Sequence, residues 1–202
     1  GEGVAWGGNG IFEMGAQWML WQINPHWIDD ETYHWDAFKK NTHKAFLHTE
    51  NIYRSPYVLE YWSERQGLPF IGELFRQGKK GEDPVMTYKR MQNLSQEQFN
   101  DEMFDAYQHL INFDYKRVFS ITRPWANSFP DFRSCLEEKE DGWYQVRKAW
   151  CPENYGFNAI HLKVPAAGTT VQITFAGLTP TGQDYNICLL YTSPSPRDQR
   201  GS

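Results

Sequence analysis

The hydrophobic pattern of this 202-residue chain changes its period near Pro124, and that change most limits the folds open to it. Before Pro124, apolar residues recur at helical spacing between helix start and stop signals. After it, three segments alternate with period two, at residues 142–146, 158–164 and 169–175. The pattern predicts an α+β chain, with a helical region at residues 1–123 followed by the start of a β-sandwich-like module at 124–188.

Cap residues delimit the predicted helices. Ser55 and Asp83 each precede a proline, the order of an N-cap followed by proline at the first helical position. Ser95 and Gln98 have the spacing of a capping box. The apolar residues behind that box fall on one helical face and are Phe99, Met103, Tyr107, Leu110 and Ile111.

Composition limits the function classes. Aromatic residues make up 16% of the chain and charged residues 22%, so it can bury a core and is not disordered by composition. A net charge of -5 argues against a nucleic-acid partner, because phosphate binding needs clustered Lys and Arg. No apolar run approaches the roughly 18 residues of a membrane-spanning helix, so no membrane span is predicted.

The two ends of the sequence look foreign to the domain between them. Gly1 is not an initiator residue, and no signal-peptide pattern precedes the first helix. Residues 189–202 (LLYTSPSPRDQRGS) lose all periodicity and resemble translated sequencing-adaptor read-through. We therefore expect a fragment that ends in a non-native tail at 189–202; a native disordered tail is the alternative.

The three cysteines give little information about the fold or about a metal site. Cys135 and Cys151 could form a disulfide in an oxidising compartment, and Cys188 lies beside the foreign tail. The sequence has no CxxC or Cys/His spacing of the kind that holds structural zinc.

Seven short segments, in this order, resemble the Svx/AvrXca-type virulence (avirulence) proteins: EMGAQW (13–18), NTHKAFLH (41–48), SPYVLEYW (55–62), GEDPV (81–85), FNDEMFD (99–105), CPENYG (151–156) and VPAAGT (164–169). These are secreted bacterial proteins, many of them from gut Bacteroidetes, and the likeness covers residues 1–188. It implies a secreted or cell-surface protein, zinc-peptidase-like in the manner of gluzincins, with a His-Glu-x-x-His helix upstream. It also implies that residues 1–123 correspond to the C-terminal subdomain of such a peptidase, and that a peptide or glycoprotein is its substrate.

Zinc is the cofactor that this resemblance implies, and Glu13 is the metal ligand that it indicates. In a gluzincin-type site, two histidines of His-Glu-x-x-His and a glutamate from a later helix bind the metal. This chain has no His-Glu-x-x-His, and Glu13 is its candidate for the later glutamate. Gly15 and Ala16 beside it would let a neighbouring helix approach closely. The alternative is a carboxylate that the helix macrodipole favours in a first turn without any metal.

His48 and Tyr53 are candidate catalytic residues, because metallopeptidases need a His, Tyr or Arg to hold the oxyanion opposite the metal. Their segment falls between two predicted helices, where functional loops concentrate. We expect Glu13 to face a cleft beside residues 48–57. His43 is five residues from His48, off a shared helical face, so a two-His metal pair is not expected. A surface or core role is the alternative for each of these residues.

Two other groups have structural interpretations. The carboxylates that follow the capping box are expected to be solvated or paired: Asp101, Glu102 and Asp105. The tryptophans of the first helices are expected to pack in the core rather than form a sugar platform: Trp18, Trp21, Trp27 and Trp35.

Three function classes remain open. The first is a secreted zinc metallopeptidase-like protein, of which this piece is inactive because it lacks His-Glu-x-x-His. The second is a non-catalytic virulence factor that binds host glycan or protein. The third is a carbohydrate-active enzyme, for which the sequence shows no convincing pair of facing carboxylates.

Overall fold

The computed structural model describes residues 8–163 and 165–176, and within them the chain is mostly helical, with eight helices and one small antiparallel sheet. The helices are α1 (Gly8–Ile23), α2 (Trp27–Asp30), α3 (Thr32–Lys40), α4 (Tyr57–Gln66), α5 (Phe70–Gln77), α6 (Pro84–Gln92), α7 (Gln96–Asn112) and α8 (Phe119–Thr122). The sheet pairs β1 (Leu136–Glu138) with β2 (Tyr144–Val146). The chain divides into two compact units, residues 1–161 and 162–202.

Two of the predicted helix starts are confirmed with their caps. The Asp83 carboxylate accepts a hydrogen bond from the backbone N–H of Met86 at 2.8 Å, at the start of α6. At the start of α7, Ser95 Oγ accepts from the backbone N–H of Gln98, and the Gln98 side chain accepts from that of Ser95. These bonds satisfy donors that every helix start leaves open, so α6 and α7 begin where local sequence dictates.

Ser55 does not cap α4, contrary to the prediction. Its hydroxyl points away from the helix, 2.9 Å from the backbone carbonyl oxygens of Phe46 and Asn51. Pro56 occupies the N-cap position instead, with no side-chain cap. Ser55 is buried, and its hydroxyl bonds to carbonyl groups of the preceding loop rather than to an N–H group at the start of the helix.

Aromatic side chains form most of the core. The four tryptophans at positions 18, 21, 27 and 35 are at most 6% exposed, so their predicted packing role is confirmed. Trp62 of α4 stacks on Tyr88 of α6 with ring centroids 4.1 Å apart. Trp35 makes an edge contact with Phe113 at 4.8 Å, which ties α3 to the end of α7. Offset and edge contacts of this kind add to the stabilisation that burial provides.

A buried charge fixes α1 against α4. Glu60 of α4 is 1% exposed. Its Oε2 accepts hydrogen bonds from Trp18 Nε1 (3.1 Å) and Gln22 Nε2 (2.6 Å), and its Oε1 accepts from Arg117 Nε (2.8 Å). Arg117 also donates to the carbonyl oxygen of Trp21 at 3.0 Å. The carboxylate is therefore fully paired, which is the condition for a charge to be tolerated in a core.

The prediction of a β-sandwich-like module is wrong for the described residues. Residues 142–146 do contain β2, but its partner is β1, which the pattern did not indicate. Residues 158–163 and 169–175 carry no strand, and Val164 lies outside the described residues. Period-two alternation makes a segment suitable for a sheet, but a strand also needs a neighbouring backbone to pair with. The segment at 158–163 bonds to the short 3-10 helix Phe132–Cys135 instead, since the Ala159 carbonyl accepts from the Phe132 N–H.

The second unit is described only from 162 to 176, without Val164. There a turn at Gly168, whose φ is +83°, lets the Ala166 carbonyl accept from the Thr169 N–H at 3.1 Å. Cys188 and the adaptor-like tail at 189–202 lie outside the described residues. The predicted boundary near residue 123 stays a prediction.

Cys135 and Cys151 are both free thiols, one buried and one exposed. They lie on either side of Arg147, whose N–H donates to the Cys135 carbonyl oxygen at 2.9 Å and whose carbonyl oxygen lies 3.8 Å from Cys151 Sγ. Burial raises the pKa of the Cys135 thiol. The disulfide that the sequence allows is therefore not formed, although both cysteines contact the backbone of Arg147.

Candidate functional site

Glu13 lies in the second turn of α1 and is partly exposed. Its carboxylate lies close to the hydroxyl of Tyr53, whose side chain is 43% exposed. The negative charge of Glu13 raises the pKa of the Tyr53 hydroxyl. Glu13 therefore lies beside the 48–57 segment, at the protein surface. The prediction that it faces a cleft there stays a prediction. The metal and catalytic roles of these residues stay predictions.

A close backbone approach brings α1 to this segment. A Cβ atom on Gly10 would lie 2.9 Å from the carbonyl oxygen of Leu47 and 3.4 Å from the Ile52 side chain. Only glycine fits such a contact. Glu13 follows Gly10 by three residues, about one helical turn, and so lies on the same side of α1 as this contact.

His48 contacts a different carboxylate. Its Nδ1 accepts a hydrogen bond from the Glu50 N–H at 3.1 Å, which fixes the orientation of the ring. Its Nε2 lies 3.9 Å from Glu153 Oε1. Among the described residues it has no hydrogen bond to Glu13 or Tyr53. The structure thus joins two of the three predicted site residues and places the third beside Glu153, which the sequence had not singled out.

Residues 151–157, called the strap from here on, cross the loop that carries His48. The N–H of Glu153 donates to the His43 carbonyl oxygen, and the N–H of Phe157 donates to that of Thr42, each at 2.8 Å. The Glu153 carboxylate accepts from the Ala45 N–H at 2.8 Å. Two of the segments that carry the family resemblance, 41–48 and 151–156, therefore pack directly on each other.

His43 lies beneath the strap and is 7% exposed. Its ring lies 4.7 Å from that of Trp150, and its Nδ1 has no hydrogen-bond partner in the described part of the chain. Burial lowers the pKa of His43, an effect that the nearby Glu153 partly offsets. The neutral imidazole is the form that this environment favours.

An open cleft of about 380 Å³ lies between α4 and α7 and is called the α4–α7 cleft below. It is lined by Tyr61, Arg65, Leu94, Gln98, Asp101, Glu102 and Asp105. The Tyr61 hydroxyl donates to Asp105 Oδ2 at 2.6 Å, and the hydroxyl of Tyr88 bonds to Glu102 Oε1. These carboxylates are predicted from the sequence to be solvated or paired, and that prediction does not include the cleft. The sequence pattern that corresponds to the cleft is one pair of polar residues at helical spacing on each helix. The pair on α4 is at residues 61 and 65, and the pair on α7 is at residues 102 and 105.

The profile of a family of unknown function, DUF6055, matches residues 2–189. The chain belongs to that family. No curated protein and no solved structure matches it. The matched range includes the Glu13–Tyr53 pair, the strap and the α4–α7 cleft of this chain.

The described residues of this DUF6055 chain do not make a zinc site by themselves. Within residues 8–163 and 165–176, no group of three or more His, Cys, Asp or Glu side chains could hold a metal ion. Glu13 supplies one carboxylate, whereas a zinc shell needs about three protein ligands. In that same part of the chain, no helix is long and apolar enough to cross a membrane.

The contact between Glu13 and Tyr53 can be tested directly. We expect Glu13→Gln to lower the pKa of Tyr53 towards the ordinary tyrosine value of about 10, because the variant removes the negative charge that opposes ionisation of the phenol. The measurement is an NMR titration of the tyrosine ring carbons. Tyr33, which faces Glu31 instead, serves as the internal control. A Tyr53 pKa that is the same in both proteins would contradict the contact.

Proposed function

We propose that this DUF6055 chain is part of a secreted bacterial protein of the Svx/AvrXca virulence type, with a zinc-peptidase-like site. In this proposal Glu13 is the ligand that the chain contributes, and the histidine ligands come from a His-Glu-x-x-His helix outside this sequence. The observation that carries it is the Glu13–Tyr53 pair. A surface carboxylate with a hydroxyl beside it resembles the setting of metal-ligating carboxylates, which have polar groups next to them.

The outer face of α1 supports the proposal. Alongside Glu13, this helix exposes the side chains of Ala16, Met19, Leu20 and Ile23. Ile23 is 82% exposed and Met19 60%. A continuous apolar stripe of this kind is typical of a helix face that another element covers. A helix packed there would lie beside Glu13, where further metal ligands are needed.

The proposal gives each site residue of this chain a role. Glu13 binds the metal, and its charge lies beside the Tyr53 hydroxyl. His48 and Tyr53 are the donors that the chain offers to the carbonyl oxygen of a peptide or glycoprotein substrate. Because the described residues supply one metal ligand, the chain by itself is expected to be inactive.

A second function, non-catalytic binding of host glycan or protein, is favoured by a different observation. The β1–β2 hairpin exposes two adjacent aromatic side chains, Trp143 at 47% and Tyr144 at 57%. Exposed Trp and Tyr rings combine apolar area with a polar atom, which suits contacts to sugars and to protein surfaces. This function needs no metal, so zinc content separates it from the first.

Two observations test the proposed zinc site. The proposal requires a longer reading frame that encodes His-Glu-x-x-His within a few tens of residues upstream of Gly1. The present chain alone is expected to bind zinc weakly in a calorimetric titration, because one carboxylate is a poor site. A longer frame without that motif would refute the peptidase proposal. Tight stoichiometric zinc binding by the present chain would show that the site lies elsewhere in it.

A further inference from the structure

The strap is anchored on α7 through Tyr155. The hydroxyl of Tyr155 accepts a hydrogen bond from Gln96 Nε2 at 2.7 Å, and its backbone carbonyl oxygen accepts one from the Tyr107 hydroxyl. The φ angle of Tyr155 is +60°, a conformation that a side chain disfavours and that these contacts help to hold. None of these groups changes charge between about pH 5 and 8, so the anchor on α7 does not respond to pH in that range.

The other contact of the strap is with the backbone of residues 42–43, and it covers a histidine side chain. The N–H groups of Glu153 and Phe157 donate to the two carbonyl oxygens of that backbone. His43 is 7% exposed, and its Nδ1 has no hydrogen-bond partner among the described residues. Its ring packs on that of Trp150, with centroids 4.7 Å apart. A protonated ring carries hydrogens on both nitrogens, so its Nδ1–H would be buried without an acceptor.

A proton on His43 has different consequences in the closed and the open strap. In the closed strap, a buried donor without an acceptor costs the free energy of its lost hydration, and burial holds the pKa of His43 below its ordinary value. In an open strap the ring reaches water and has the ordinary histidine pKa of about 6.5. The closed contact is therefore at full strength well above that pH and weakens as the pH falls below it.

Three other groups act on the charge of His43. Lys44 and His48, on its own loop, oppose its protonation, whereas Glu153 of the strap favours it. Glu153 already accepts the Ala45 N–H at 2.8 Å. Glu153 Oε1 lies 3.9 Å from His48 Nε2, beyond hydrogen-bond distance, and both side chains are partly exposed, so a charged His48 adds little to hold the strap. The burial of His43 therefore sets the direction of the response.

We propose that the strap is an acid-sensitive latch, in which protonation of His43 releases the contact between residues 151–157 and the backbone at 42–43. Opening also brings water to the hydroxyl of Thr42, which is 2% exposed and has no hydrogen-bond partner in the described part of the chain. It uncovers the loop that carries His48. The latch does not depend on the zinc proposal, because neither Glu13 nor a metal takes part in it.

Amide hydrogen exchange of the present chain measures opening of the strap, once each rate is divided by the intrinsic chemical rate at the same pH. We expect protection of the Glu153 and Phe157 N–H groups to fall about three- to tenfold between about pH 7.5 and 5.5, because a histidine of ordinary pKa in the open strap limits the effect to about tenfold. Protection of the α7 N–H groups should not follow this change. An NMR titration of the His43 ring should give a pKa below that of an ordinary histidine. Strap protection that does not change with pH, or an ordinary pKa for His43, would overturn the proposal.

Variants assign the effect to one of the two histidines in the loop. His43→Gln keeps a polar side chain that does not titrate, and it should remove the pH dependence of strap protection. His43→Phe does not titrate either and keeps a ring against Trp150, so it serves if the glutamine variant disturbs the loop. His48→Gln removes the other histidine that faces Glu153 and should leave the pH dependence in place. A pH dependence that persists in both His43 variants, or that disappears in His48→Gln, would overturn the proposal.

Discussion

Replacing Glu60 by alanine is expected to lower the free energy of unfolding by roughly 3 to 5 kcal/mol. The Glu60 carboxylate accepts bonds from Trp18, Gln22 and Arg117, and it is 1% exposed. Its removal leaves the Arg117 guanidinium without its carboxylate partner and the Trp18 indole N–H without an acceptor. Both losses lie in the interface between α1 and α4. The contact of α1, which carries Glu13, with α4 should therefore weaken before the rest of the fold.

Urea unfolding followed by tryptophan fluorescence measures the effect of Glu60→Ala. Glu73→Ala is the matched control, because Glu73 pairs with Arg76 on the exposed surface of α5. Surface pairs contribute about 0 to 1 kcal/mol, so this variant should unfold almost as the parent does. A Glu60→Ala effect as small as that of Glu73→Ala would contradict the role assigned to the buried charge.

Gly156→Ala is expected to displace the strap. A Cβ atom at this position would lie 2.2 Å from the carbonyl oxygen of His43 and 2.6 Å from its carbonyl carbon. Both are backbone atoms and cannot rotate away, so the strap itself must move. Overpacking of this kind costs about 1 to 3 kcal/mol, and more where backbone meets backbone.

Amide hydrogen exchange reports the displacement most directly. The N–H groups of Glu153 and Phe157, which bond to the 42–43 backbone, should lose protection while those of α7 keep theirs. Gly72→Ala is the control, since the nearest atoms to its Cβ belong to the flexible Arg76 side chain at 3.7 Å. Gly72 lies inside α5, where alanine should stabilise the helix by about 0.5 to 1 kcal/mol. Unchanged protection of Glu153 in Gly156→Ala would contradict the close contact.

The parts of the fold that sequence reasoning predicted well are local. The capping box of Ser95 and Gln98 lies within four residues, and the α7 apolar face repeats within the helix, so both are visible without tertiary structure. Ser55 shows the limit of the same reasoning. It has the sequence of an N-cap, but its hydroxyl lies against carbonyl groups of the preceding loop.

The parts that were missed depend on partners distant in sequence. Residues 169–175 alternate as a strand would, but among the described residues no neighbouring strand pairs with them. Glu102 looks like any carboxylate on a polar helix, and its burial follows from Tyr88 of α6 and Arg65 of α4. Glu153 meets His48 only because the strap crosses a loop more than a hundred residues earlier.

The metal content of a protein that includes the proposed His-Glu-x-x-His segment upstream of Gly1 tests the central proposal most directly. We expect about one zinc per chain in the parent protein, at least tenfold weaker zinc binding in Glu13→Ala, and no change in Glu97→Ala. Glu97 is an exposed carboxylate in the first turn of α7, so it controls for a carboxylate whose only role is to complement the helix dipole. Equal zinc content in the parent protein and Glu13→Ala would contradict the assignment of Glu13 as a metal ligand.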